Sequence, residues 1–328
     1  MPQSISLTLR CSLVATVCSC GPIHAQAQGV PYPAKPVRVV VSTAAASGAD
    51  LVARIVLPKL SESFGRQFVV ENRPGAGGSI AADMVARAPA DGYTLLFGVA
   101  GLTITEVLYK KLSYNLEQDF APVGLVGAAP LMLVVHPSLP VRSVKELIAF
   151  AKARPGQILY GSSGNGSSPH LTAELFGMEA AVRLVHVPYK GSPQAVSDLI
   201  AGQVTMMFAA PSTFMPHVNA GRLRALAVSS DRRSVAAPKV PTMAEMGMAD
   251  FKAGTWNGLL APSGTSPEII GRLNSELSNA ARLPESRERL AKLGMDAVTG
   301  PPADFAALIH AEIGKWRKVI TASRARVD

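Results

Sequence analysis

Short apolar runs alternate with segments of helical spacing along nearly the whole chain. Val37-Arg38-Val39-Val40-Val41 predicts a buried strand, and Asp50 to Phe64 predicts a helix with Asp50 near its N-cap and Gly65 at its end. Pro58 is expected to kink that helix. Phe68-Val69-Val70, Thr94 to Phe97 and Leu131 to Val135 read as further strands, with a small-residue helix from Ile80 to Ala88 between the first two. Ser143-Val144-Lys145-Glu146 is a capping-box pattern opening a helix to about Ala153, which Pro155-Gly156 ends. Ile158-Leu159-Tyr160 then predicts a strand, followed by a Gly/Ser turn and a helix from Pro169 to Phe176. Val204 to Phe208, Leu223 to Val228 and Gly258 to Ala261 are strand-like. Two helices with one apolar face close the chain. One starts at Ser266-Pro267 (Ile269, Ile270, Leu273, Leu277), the other at Pro302 (Phe305, Leu308, Ile309, Ile313, Trp316, Ile320). Strand–helix alternation of this kind predicts an α/β protein with mostly parallel sheets covered by helices. No linker interrupts the pattern, so the chain is expected to cross between domains more than once, near 125–136 and 254–261.

Composition adds a leader. Of the 328 residues, 48% are hydrophobic, enough for a large core. Arg10, the apolar run Leu13 to Cys18 and the box Ala25-Gln26-Ala27 follow the order of a secretory signal peptide cleaved near Ala27, so residues 1–27 are expected to be removed and the protein to reach the periplasm. The alternative is a lipoprotein box, Val17-Cys18-Ser19-Cys20, with Cys20 lipidated. Cys11, Cys18 and Cys20 are the three cysteines of the chain, and all precede Gln28. A chain starting there has no disulfide, thiolate metal site or cysteine nucleophile. Losing Arg10 takes the formal charge from +9 to +8. The basic residues are mostly scattered and form no stripe interleaved with aromatics, which argues against nucleic acid. No mature segment is long and apolar enough for a transmembrane helix.

Two glycine-rich turns carry the candidate chemistry. Val70-Glu71-Asn72-Arg73-Pro74-Gly75-Ala76-Gly77-Gly78-Ser79 lets a ligand or another backbone approach closely. Gly161-Ser162-Ser163-Gly164-Asn165-Gly166-Ser167-Ser168 leads from a strand into a helix. Thr43 to Asp50 and Gly98 to Thr103, including Gly101, are further small-residue helix starts. Free N–H groups at such starts suit anions, and ligands of open α/β sheets sit beyond the carboxyl ends of strands. The competing reading is that these are ordinary turns. Phosphate-loop, dinucleotide, zinc-protease and nucleophile-elbow motifs are all missing, and the histidines lack ligand spacing, so neither cofactor nor metal is expected. A hydrolase using Ser163 or Ser168 is the enzymatic alternative, and a Ser/His pair would join Ser167 or Ser168 to His170. His170 would fall in the first turn of its helix, where the dipole opposes the imidazolium.

The chain resembles the Bug family, the periplasmic receptors of tripartite tricarboxylate transporters. The resemblance runs over 33–320 in order: Tyr32-Pro33-Ala34-Lys35-Pro36, Val70-Glu71-Asn72-Arg73-Pro74-Gly75-Ala76-Gly77-Gly78, Ala90-Asp91-Gly92-Tyr93, Leu108-Tyr109-Lys110-Lys111-Leu112, Asp119-Phe120-Ala121-Pro122-Val123, Gly164-Asn165-Gly166-Ser167, Val187-Pro188-Tyr189-Lys190-Gly191 and Val240-Pro241-Thr242. It implies a two-domain periplasmic-binding-protein fold of the type II, flytrap kind, with no enzyme activity. The implied division is 28–127 plus about 256–300, 128–255, and a C-terminal helix over 301–328. It also implies a small carboxylate ligand, held by the first loop and by the Gly/Ser loop across the cleft. In this chain those positions are Thr43, Ala45, Ser47, Gly48, Ala49 and Asp50, then Ser163, Gly164, Asn165, Gly166, Ser167, Ser168 and His170. The implied partners are membrane permease subunits, with a sensor protein as the alternative, and the implied state is a monomer. The first loop departs from the family, which has an aromatic residue, Pro and two glycines where this chain has Thr43, Ala45, Ala46 and Ser47. Ala209 stands where members often carry a polar or acidic residue that would face a ligand ammonium.

Overall fold

The computed structural model describes Met1 and residues 32–109 and 111–323. The leader, its cleavage box and Cys20 lie outside them. Among the described residues the strands are β1 (Val37–Val41), β2 (Phe68–Asn72), β3 (Thr94–Val99), β4 (Phe120–Pro130), β5 (Met132–Val135), β6 (Ile158–Ser162), β7 (Leu184–Pro188), β8 (Met206–Ala209), β9 (Arg224–Val228), β10 (Gly254–Pro262) and β11 (Asp296–Ala297). The helices are α1 (Gly48–Phe64), α2 (Ser79–Ala86), α3 (Gly101–Leu108), α4 (Val144–Ala153), α5 (Ser168–Ala180), α6 (Ser192–Ile200), α7 (Pro211–Asn219), α8 (Pro267–Arg282), α9 (Pro284–Lys292) and α10 (Pro302–Ser323).

The strands form two sheets, of order β11-β4-β10-β3-β1-β2 and β7-β6-β8-β5-β9. The α/β class is as expected, but the expectation of mostly parallel sheets needs correction. β1 pairs in parallel with β2 and β3, and β6 with β7 and β8. The other five pairings are antiparallel, and all of them involve β4, β5 or β10. Those are the strands at the crossings. β4 passes through Leu131 into β5 of the other sheet, and β10 returns to the first. A strand returning from another sheet has no helical crossover to reverse its direction, so it is free to pair antiparallel.

Serines cap the helices more often than the sequence reading has it. Ser47, not Asp50, caps α1, accepting from the Asp50 N–H. Ser143, Ser167 and Ser266 cap α4, α5 and α8. Helix α1 runs on through Pro58 and ends at Gly65 with φ 63°. The β7 strand, the α6, α7 and α9 helices and most of β4 go beyond the predicted elements. Two prolines and two glycines weaken β4 as a local signal. It is held by nine pairings to β10, from Gly254↔Pro130 to Pro262↔Phe120, with two register shifts that absorb the irregular residues.

The α10 helix serves both sheets. Phe305, Ile309 and Ile313 are buried with Val40, Leu96 and Trp256 against the first sheet. Trp316 and Val319, farther along, are buried with Leu133, Tyr160 and Phe208 of the second. Gly258 makes room for it, since a Cβ there would stand 2.5 Å from Phe305 Cζ.

Candidate functional site

The first loop is organised around one carboxylate. Asp50 is 1% exposed. Its Oδ2 accepts from the Ala46 N–H at 2.9 Å and from Arg54 Nε at 3.0 Å, and its Oδ1 accepts from Asn72 Nδ2 at 2.9 Å. Asn72 also donates to the Thr43 carbonyl at 3.1 Å, tying the loop to the end of β2. Burial opposes the charge on Asp50, but the bonds from Arg54, Asn72 and Ala46 outweigh it and hold its pKa below the ordinary value. Ala46 takes a left-handed φ of 61°, and its N–H bond to Asp50 helps fix that conformation. Thr43 and Ser47 pair through their hydroxyls at 2.7 Å. Ala45 and Gly48 are exposed, and Ala49 is buried in the core.

In the Val70–Ser79 stretch the glycines make room for side chains of other elements. A Cβ on Gly77 would stand 2.5 Å from Thr105 Oγ1, and one on Gly78 2.9 Å from Leu102 Cδ2 and 3.2 Å from Ser42 Cβ. What approaches these glycines is the α3 helix and the end of β1. Thr105 Oγ1 lies 3.2 Å from the Gly77 carbonyl and 2.9 Å from that of Gly101, bonding the turn to the helix.

The second loop is folded on itself and on two histidines. The Ser167 hydroxyl donates to the Gly164 carbonyl at 2.7 Å and accepts from the His170 N–H at 3.4 Å. His170 Nδ1 accepts from the Gly166 N–H at 3.0 Å, which makes Nδ1 the unprotonated nitrogen. Its ring stacks on His186 at 3.9 Å between centroids and 7° between planes, and His186 stacks on Tyr160 at 4.9 Å. His186 Nε2 is 2.6 Å from Ser162 Oγ. Burial lowers the pKa of His170 to about 4. Burial, then repulsion from His170, does the same to His186, also to about 4. Tyr160 donates to Glu174, and burial raises the pKa of the phenol. No described hydrogen bond joins the His170 ring to a serine hydroxyl. The neighbouring ring that does contact a serine is that of His186, and its partner Ser162 is fully buried.

Part of the predicted site comes together in one cleft of about 330 Å³. Gly101 at the start of α3 faces Asn165, Gly166, Ser167 and Ser168 at the start of α5. Four other wall residues, Ile104, Thr105, Leu108 and Tyr109, come from α3 and its end; Gly77 completes the wall. No described wall residue carries a charge. Leu108 and Gly166 meet across the cleft, where a Cβ on Gly166 would stand 2.5 Å from Leu108 Cδ2. The Ser168 hydroxyl is buried without a partner. Thr43, Ala45, Ser47, Gly48, Ala49 and Asp50 are not in this wall, nor are Ser163, Gly164 or His170. Ala209 is 5% exposed and packs among Met132, Met207 and Val228. Sequence reasoning passed over Thr105, Leu108 and Tyr109. The signal for them is the apolar helical run after Gly101, which reads equally as core.

Comparison with known proteins bears on the same frame. The family model described as tripartite tricarboxylate transporter family receptor matches residues 52–324. Protein BugT of Bordetella pertussis is 37% identical over 316 residues, 96% of each chain. The solved structure of Rhodopseudomonas palustris Rpa4515 with adipate is 35% identical, with a TM-score of 0.73 over 90% of this chain and 99% of that one. MatC of the same organism, with bound malate, is 31% identical, with a TM-score of 0.70 over 88% of this chain and 100% of that one. The family match, covering the described chain from α1 to the end of α10, and the Bug relative spanning nearly its whole length make this protein a member of the tripartite tricarboxylate transporter receptor family, a solute receptor on a periplasmic-binding-protein fold.

Proposed function

We propose that this receptor captures a small carboxylate between the two sheet-bearing halves, closes on it, and delivers it to permease subunits of a tripartite transporter. The observation that carries this reading is the cleft in which the starts of α3 and α5 face each other across Leu108 and Gly166. Helix starts present N–H groups and the positive end of the dipole, so an anion can be held without a cationic side chain. Bonds of this charge-assisted kind stabilise by roughly 1.5–3 kcal/mol each, so a few of them support micromolar binding. Relatives solved with adipate and with malate support a carboxylate class. No described wall residue is acidic, which favours acids without an amino group, because a ligand ammonium would find no counter-charge among them. The protein acts without catalysis in this reading, and it works in the periplasm after removal of residues 1–27.

Thermal melting with a panel of acids and their methyl esters tests the ligand class. A ligand that binds only the native state stabilises it by roughly 2.7 kcal/mol at 100 times its dissociation constant. The acids are expected to raise the Tm and the esters to leave it unchanged; equal shifts would refute carboxylate recognition. Small-angle scattering of the same samples is expected to show a smaller radius of gyration with ligand. Export is checked by the intact mass of periplasmic material, expected to begin near Gln28; a diacylglyceryl mass on Cys20 would show a lipoprotein instead.

A further inference from the structure

The wall that the second half gives to the cleft is built from residues with little stiffness of their own. Asn165, Gly166, Ser167 and Ser168 line it, and Gly166 takes a left-handed φ of 71° just ahead of α5. Glycine loses more conformational freedom on folding than any other residue, so this stretch keeps one shape only where bonds hold it. Ser162 supplies some of them. Its hydroxyl lies 3.1 Å from both the N–H and the carbonyl of Gly164. Ser167 adds more, bonding the Gly164 carbonyl through its hydroxyl and its N–H. These bonds stop at Gly164. The described bond to the Gly166 N–H comes from His170, in the first turn of α5, whose Nδ1 accepts it at 3.0 Å.

The ring that makes this bond is itself restrained. His170 is 6% exposed, and burial keeps its imidazole neutral, which leaves Nδ1 able to accept. One face lies on His186 of β7, 3.9 Å away between centroids and 7° from parallel. His186 lies in turn on Tyr160 of β6 and is tied through Nε2 to Ser162 Oγ at 2.6 Å. The Tyr160 hydroxyl bonds back to Glu174 of α5. A stack of three rings from three elements thus restrains the imidazole from turning away from Gly166. On the other side of the cleft stands Leu108, whose Cδ2 would lie 2.5 Å from a Cβ on Gly166, so a small shift of the Gly166 backbone changes the gap there. We infer that His170 is a positioning residue of the binding site: through its unprotonated Nδ1 it holds Gly166 in place opposite Leu108 and fixes the shape of the cleft before a ligand enters. A ligand that needs the ordered wall binds more weakly in proportion to the time the wall spends out of place. That consequence rests on the capture proposed above; the placement of Gly166 does not.

The test uses the ligand-free mature protein, labelled with ¹⁵N and at its leucine methyls. In the wild type the ¹⁵N shifts of the His170 ring are expected to report the tautomer with its proton on Nε2. His170→Asn keeps an acceptor at the Nδ1 position, His170→Gln moves it one bond farther out, and His170→Ala removes it. Exchange of the Gly166 amide, read against that of Thr205, which bonds the Leu159 carbonyl in the same half, separates loss of this bond from general loosening. Relative to Thr205 it is expected to quicken roughly two- to tenfold in His170→Ala and His170→Gln, the equivalent of one net hydrogen bond of about 0.5–1.5 kcal/mol, and to stay near the wild-type rate in His170→Asn. The Leu108 methyl resonance is expected to follow the same order. The Asn and Gln variants both lack the imidazole, so its ring current drops out of their comparison. Unchanged relative exchange in His170→Ala, Asn and Gln variants that behave alike, or a wild-type ring protonated at Nδ1 would each overturn the inference. If His170→Ala does not fold, the Asn–Gln pair and the wild-type tautomer still decide. No readout needs a ligand, so the result stands whether or not the carboxylate reading does.

Discussion

Replacing Asp50 with Ala separates a structural carboxylate from a ligand contact. The substitution removes the acceptor of three bonds, from Ala46 N, Arg54 Nε and Asn72 Nδ2. The Arg54 side chain is 51% exposed and regains water, so its share is small, as for surface ion pairs generally. The Ala46 N–H loses its partner, at roughly 1–3 kcal/mol, while the Asn72 amide loses one of two acceptors and keeps the Thr43 carbonyl, at the low end of that range. Ala46 also keeps its left-handed φ of 61° with less to hold it. The sum is a loss of roughly 2–4 kcal/mol of stability, an effect that places the variant among strongly destabilised point mutants. Urea unfolding of the ligand-free protein measures it as a lower midpoint at unchanged m. Ligand affinity, measured by calorimetry where the variant is fully folded, is expected to fall only as far as the loop is disturbed. A stability change below about 0.5 kcal/mol combined with abolished binding would refute the reasoning and make Asp50 a direct ligand group.

Three further outcomes follow from the same geometry. Glu71, bonded by Arg38 and Arg73, has its pKa lowered to about 2; its contribution is present above the unfolded value of roughly 4.3 and is lost as pH falls through the folded one, so Glu71→Gln should flatten the acid limb of a stability–pH curve there. His170 and His186 titrate near 4 in the fold and near 6.5 in the unfolded chain, so stability should rise with pH between those values, and His186→Gln should reduce that slope in unfolding series at fixed urea. Gly166→Ala forces a left-handed alanine at φ 71° and a Cβ against Leu108, so it should lower stability by roughly 1–3 kcal/mol and weaken ligand binding in calorimetry, whereas Gly48→Ala, with open space around its Cβ, should change stability by less than about 1 kcal/mol.

Much of the architecture was legible along the chain because it is local. A serine followed three residues later by a glutamate is a capping box wherever it stands, and Ser143 and Glu146 form most of one; only the glutamate's bond goes to Arg142 N rather than to the cap itself. The valines of β1, the one-face stripes of α8 and α10 and the glycine ending α1 need no distant partner to be read. The family motifs are similarly a matter of order and spacing. Tertiary structure decided whatever depends on a neighbour far away in sequence. The direction of β10 is set by β3 and β4, and β4 is a strand at all because β10 lies beside it. A missing Cβ at Gly77 says only that something comes close; Thr105, 28 residues on, does so, and the two share a wall of the cleft. Along the chain Asp50 reads as a cap or a ligand group; the bonds from Asn72 and Arg54 to its oxygens are what the fold adds. Leu108, which reads as core along the chain, becomes a wall of the cleft only because α5 of the other half brings Gly166 up to it. Sequence encodes which side chain is available at each position. The long-range packing of two sheets determines which of those side chains are already satisfied and which still face a space that a ligand can enter.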